Sequence, residues 1–164
     1  ANGNSITFQW SSAPDTRDRN TGVDVRLAGV NYRTNNLGQV ILTVTLPQAG
    51  EYIVRLALGD MGSVTTRIYM QIRDDGAAKL TIDDANGVAE YGFLDATGAE
   101  HQYNVWPGSN TSVNVTFATT TCQVVIGTPT SESSYTPLAH LYLEYVPAAG
   151  GGAVPPRRIF QIGD

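Results

Sequence analysis

Apolar and polar positions alternate with a period of two through most of this chain, in short runs bounded by Gly, Pro, Asn and Asp. The clearest run is Gly50 to Leu58. There Tyr52, Val54, Leu56 and Leu58 share one face and Ile53, Arg55 and Ala57 the other, as in a strand that covers a core on one side. Pro47 and Gly50 break the chain before it, and Gly59-Asp60 after it. Gln39 to Leu46 repeats the pattern with Val40, Leu42, Val44 and Leu46 inward, and the short Pro47-Gln-Ala-Gly50 connection predicts that the two strands pair as a hairpin. Further strands are expected at Ile6 to Trp10, Thr66 to Arg73, Lys79 to Ile82, Tyr91 to Leu94, Ser112 to Phe117, Cys122 to Gly127 and Leu138 to Val146. Turn signals stand between them at Asp74-Asp-Gly76, Asp83-Asp-Ala-Asn-Gly87 and Asp95-Ala-Thr-Gly98. About nine short strands, with turn signals every eight to twelve residues, predict an all-β, antiparallel two-sheet sandwich with little or no helix.

Composition supports that picture. Charged residues are only 15% of the 164, Gly numbers 17, and Val and Thr are common, which suits strands and turns better than helices. A net charge of −5 and no basic stripe argue against a nucleic-acid partner. No apolar run approaches the ~18 residues that span a bilayer, so no membrane association is expected, and Ala1-Asn-Gly-Asn-Ser lacks the character of a signal peptide. The single cysteine, Cys122, alternates with Val124 and Ile126, which predicts a buried structural thiol. The sandwich is expected over residues 1–146, followed by a Gly/Pro-rich linker, 147–156, and a short contact tail, 157–164, suited to docking on a neighbouring subunit.

Two irregular stretches carry candidate chemistry. Asp15 to Asp24 packs Asp15, Asp18, Asn20 and Asp24 into a polar loop with two Arg. It reads either as a solvated loop of mutually paired charges or as a calcium loop, since those four side chains offer the hard oxygen ligands Ca2+ prefers. No cofactor is otherwise required. Glu100 to Asn110 is too irregular for a strand and sets His101, Tyr103 and Trp106 among amides. Flat rings stack on sugar faces while amides bond hydroxyls, so Tyr103, Trp106, Asn110 and the loop residue Tyr135 are the candidate ligand-binding residues; the competing reading has Trp106 plugging one end of the core.

Four stretches carry a resemblance: Asp18-Arg-Asn-Thr-Gly-Val-Asp-Val-Arg-Leu-Ala-Gly-Val-Asn31, Leu46-Pro-Gln-Ala-Gly-Glu-Tyr-Ile-Val-Arg-Leu-Ala-Leu-Gly-Asp60, Trp106-Pro-Gly-Ser-Asn110 and Thr136-Pro-Leu-Ala-His-Leu141. Together they resemble proteins of tailed-phage and environmental viral genomes, and the second also resembles galactose-binding-like jelly rolls. The resemblance implies a non-catalytic jelly roll on a virion surface, as a capsid decoration, head-fibre or tail component. Its partners would be other virion proteins or further copies of itself, with affinity for cell-surface glycans as an added property. The alternative is a carbohydrate-binding module of an extracellular protein. An enzyme is not expected: Gly59-Asp-Met-Gly-Ser63 resembles an esterase block only with Ser63 displaced, and His101 and His140 are isolated, His140 on the outward side of its strand.

Overall fold

The computed structural model describes residues 7–18, 29–34, 38–60, 62–108, 111–129, 135–150 and 159–162. Its strands are β1 (Thr7–Trp10), β2 (Asp15–Asp18), β3 (Gly29–Thr34), β4 (Val40–Thr45), β5 (Gly50–Leu58), β6 (Ile68–Asp74), β7 (Ala77–Asp84), β8 (Gly92–Leu94), β9 (Glu100–Gln102), β10 (Val113–Phe117), β11 (Thr121–Ile126), β12 (Tyr135–Val146) and β13 (Ile159–Ile162). One sheet runs β1-β4-β11-β6-β7. The other runs β2-β3-β12-β5-β8-β9, with β10 also on β5 and β13 also on β12. The expected all-β antiparallel sandwich is what the chain forms.

The core lies where the period-two pattern places it. Val40, Leu42 and Val44 of β4, Ile68, Met70 and Ile72 of β6 and Val124 and Ile126 of β11 meet Tyr52, Val54, Leu56 and Leu58 of β5 and Leu141 and Leu143 of β12. Each such side chain taken from water contributes about 1.5–3 kcal/mol. Cys122 sits among them, fully buried, and burial pushes its thiol up to about 12.

The chain order differs from the expected one at several points. β4 and β5 are not a hairpin: β4 pairs with β1 and β11, whereas β5 pairs with β12, β10 and β8 in the opposite sheet. The Pro47-Gln-Ala connection is therefore an arch across the sandwich. A hairpin and an arch put the same alternate residues on the core, so periodicity alone does not separate them. Gly50 makes the crossing possible, with φ 145 and the Tyr145 ring 2.7 Å from where a Cβ would stand. The Thr-rich connection after β10 is a second arch, since β10 joins β5 while β11 joins β4 and β6. It is clamped by Asp74, whose carboxylate accepts from Ala118 N (2.7 Å), Thr119 N (3.2 Å) and Thr119 Oγ1 (2.7 Å).

Asp15 to Asp18, expected in a loop, is strand β2, in register with Tyr32 to Gly29 of β3. Tyr135 also leaves its expected loop and opens β12. Glu100–Gln102, expected to be irregular, pairs with β8 as β9, and a single 3-10 turn, Tyr103–Val105, follows it. In the tail, Ile159–Ile162 pairs with Leu141 to Glu144 of β12 in its own chain.

Candidate functional site

Between β7 and β10 the chain makes an excursion that includes the short strands β8 and β9 and carries four aromatic residues, Tyr91, Phe93, Tyr103 and Trp106. Its entry is fixed at Asp84, whose Oδ1 accepts from Asn86 N (2.8 Å) and Gly87 N (3.0 Å), and at Thr65, which exchanges hydrogen bonds with Val88. The β8–β9 hairpin then lies beside the end of β5, through the Leu58 to Leu94 pairing. Close approach here needs Gly59, because a Cβ at that position would overlap the carbonyl oxygen of Gly92.

Asp95 organises the hairpin turn. Fully buried, it accepts through Oδ1 from Thr97 N (2.8 Å), Thr97 Oγ1 (2.6 Å) and Ala99 N (3.2 Å), while Oδ2 meets His101 Nε2 at 2.9 Å. Burial alone would raise the Asp95 pKa; the bonds from Thr97, His101 and Ala99 outweigh it and hold the carboxyl below the ordinary Asp value. An imidazole oriented by a buried carboxylate is a familiar half of a hydrolytic triad. In this hairpin its evident work is structural, since every Asp95 bond closes the turn between β8 and β9.

On the outer side of β5 and β12 the excursion builds a second apolar cluster from Ala57, Phe93 and Ala139, with Tyr32, Tyr103 and Trp106 packed on it. A bulge between Leu138 and His140 makes this possible. It lets Leu138 and Leu141 both face the main core and leaves Ala139 and His140 on the outer side. The Trp106 ring stands edge-on to Phe93 (5.4 Å) and His140 (5.0 Å). His140 is thus outward, as its place in the strand predicts, yet buried beneath Trp106.

Above that base lies the exposed layer. Tyr91 is 43% exposed, and its ring meets the half-buried Tyr103 ring at 5.5 Å with the planes tilted by 42°. Tyr91 has φ 66, a left-handed backbone conformation that costs a bulky residue about 1–2 kcal/mol. Two hydrogen bonds maintain it: Gly92 N donates to Ala89 O (3.0 Å), and Tyr103 N donates to Tyr91 O (2.8 Å). The charge of the neighbouring Glu90 raises the Tyr91 pKa above the usual phenol value. Gln102, Asn104 and Val105, next to Tyr103 in the chain, are exposed.

Of the residues singled out in the sequence, Tyr103 and Trp106 come together, Tyr103 in the exposed layer and Trp106 in its base. Tyr135 sits apart at the start of β12, buried, with its hydroxyl donating to the buried carboxylate of Asp60 and its ring edge-on to Tyr32 at 5.3 Å. Asp60 also accepts from Gly62 N (3.1 Å), so the acid of the esterase-like block is a buried latch. Asn110 lies outside the described residues. Of the calcium candidates, Asp15 and Asp18 belong to β2, and Asn20 and Asp24 lie outside the described residues. Among the described residues, no three His, Cys, Asp or Glu converge on a metal position. Sequence reasoning missed Tyr91. No sequence signal marked it, since the Glu90-Tyr-Gly context does not declare the φ 66 at Tyr91.

No family model matches the sequence, and none of the curated proteins matches it.

Proposed function

We propose that this chain is a non-catalytic binding domain of a virion surface protein, seated by assembly with other virion chains or with copies of itself, and that its Tyr91–Tyr103 face takes glycans. The observation that carries the glycan reading is Tyr91, an aromatic ring held 43% exposed by a backbone conformation that costs stability. Strain of this kind is favoured by selection where the displayed side chain does something. A tilted ring pair over a packed base, with exposed Gln102 and Asn104 next to Tyr103 in the chain, offers the stacking surfaces and amide groups that sugars require. The virion assignment rests on the sequence resemblance. The same site would serve a carbohydrate-binding module of an extracellular protein.

The test is a glycan array followed by calorimetry on the parent and on Tyr91→Gly. Glycine removes the ring and is at ease at φ 66, so the variant should lose glycan signal while its melting temperature stays level or rises. A parent that retains no glycan, or a variant that binds as the parent does, overturns the reading. Light scattering addresses assembly, and a monodisperse monomer across the accessible concentration range counts against self-association.

A further inference from the structure

The sheet that does not carry the excursion holds a groove of about 250 Å³, lined by Gln9 and Trp10 of β1, the following Ser11, and Thr43 and Thr45 of β4. Val40, Leu42 and Val44 face the core, so Thr43 and Thr45 face outward. Register sets Gln9 opposite Thr43 and Thr7 opposite Thr45 on that same outer face. β11 continues both rows, with Gln123 opposite Thr43 and Thr121 opposite Thr45. These three adjacent strands contain no charged residue; charge in this sheet is confined to β6 and β7, at Arg73, Asp74, Lys79, Asp83 and Asp84. The groove is therefore polar and neutral. Its polar groups are also uncommitted: among the described residues, the side chains of Gln9, Thr43 and Thr45 make no hydrogen bond. Ser11 Oγ accepts from Ile41 N at 3.0 Å, which fixes the hydroxyl and leaves its own O–H free to donate. Trp10, half-buried and packed on the edge of the core, supplies an apolar wall.

We infer that this groove is a binding site for one neutral sugar ring, separate from the Tyr91–Tyr103 face. Three hydroxyls and an amide, which both donate and accept, match the hydroxyls of a pyranose, and the indole matches its apolar side. A carboxylate or ammonium seated here would lose hydration with no opposite charge on these strands to offset the loss. The volume is below the roughly 300 Å³ at which pockets for drug-sized ligands begin, which limits the groove to a single ring.

The experiment is an NMR titration of the nitrogen-labelled full chain with galactose, glucose and mannose, with sorbitol, galacturonate and glucosamine as comparisons; Trp10→Phe assigns the two indole signals. A neutral hexose should shift the Trp10 indole and the backbone signals of Gln9, Thr43 and Thr45 saturably, with a Kd on the order of 1–10 mM, in the parent and in Tyr91→Gly alike. Sorbitol has the hydroxyls without the ring and should bind about fivefold more weakly. The charged sugars should bind no more tightly than the neutral ones, and added salt should leave the hexose titration unchanged. Thr43→Val removes one hydroxyl at nearly constant shape and should weaken the hexose about fivefold, whereas Thr116→Val, exposed on β10 of the other sheet, should not. No saturable shift at these residues with any neutral hexose overturns the site, whatever the glycan array reads at Tyr91. Binding that is lost in Tyr91→Gly, equalled by sorbitol, tighter for either charged sugar or indifferent to Thr43→Val overturns it as well.

Discussion

Gly59→Ala tests the packing on which the candidate site depends. Gly59 follows β5, and its N–H donates to the Pro137 carbonyl at 3.0 Å. An added Cβ would overlap the Gly92 carbonyl oxygen and lie 3.0 Å from Phe93 Cα and 3.2 Å from Phe93 Cβ. These are backbone or backbone-proximal atoms of a hairpin held by Asp95 and by the β8–β9 pairing, so no flexible side chain can yield. Overpacking of this kind costs about 1–3 kcal/mol. Replacing glycine recovers about 0.4–1 kcal/mol from the unfolded state, leaving a net loss of up to about 2.5 kcal/mol. At this chain length that lowers the melting temperature by about 2–4 °C per kcal/mol. The strain should also lift the excursion from the sheet. With Trp10→Phe as background, Trp106 becomes the sole indole, and Gly59→Ala should shift its native emission to the red. Gly76→Ala is the control: φ 91 strains it, but open space surrounds the new methyl, so it should lose stability without moving Trp106 emission. A Gly59→Ala protein with the parent's urea midpoint and unchanged emission would refute the close-packing argument.

Asp74→Asn should cost about 2–4 kcal/mol in urea unfolding, because it weakens the charged hydrogen bonds that clamp the second arch. Bonds from Thr119 and Ala118 hold the Asp74 carboxyl below its ordinary value, and Asp95 is likewise held low. A depressed folded pKa contributes stability above the unfolded value of about 3.9, and that contribution is lost as pH falls further through the folded value. The urea midpoint should therefore fall steeply below about pH 4, and less steeply in Asp74→Asn; parallel curves for the two proteins would contradict the assignment. Cys122, buried and with its thiol pushed up to about 12, should resist alkylation at pH 8 until the chain is unfolded. Rapid labelling of the native protein would show that β11 does not bury it.

Much of the fold was legible because period-two burial is a local property. Ile68, Met70 and Ile72 face the core as their spacing demands, and the Asp75-Gly76 turn has positive φ at both residues, as a tight two-residue hairpin requires. The candidate site was legible in part. Tyr103 and Trp106 marked the right stretch through their density of aromatic and amide neighbours. Tyr135 did not belong with them, because a tyrosine in a polar context gives no sign that a carboxylate seventy-five residues away will accept its hydrogen bond. Tyr91 was hidden for a related reason: its importance lies in a backbone angle that the sequence around it does not declare.

The sequence by itself determined that this chain is a β-sandwich, which residues enter its core and where its turns fall, since all of these follow from side-chain alternation and local turn chemistry. Tertiary structure decided which strands pair. The arch after β4, the bulge at Ala139 and the approach of Gly59 to Gly92 depend on contacts between distant segments, and a hairpin or an arch would satisfy the same alternation. Those contacts also bring the Tyr91 and Tyr103 rings together.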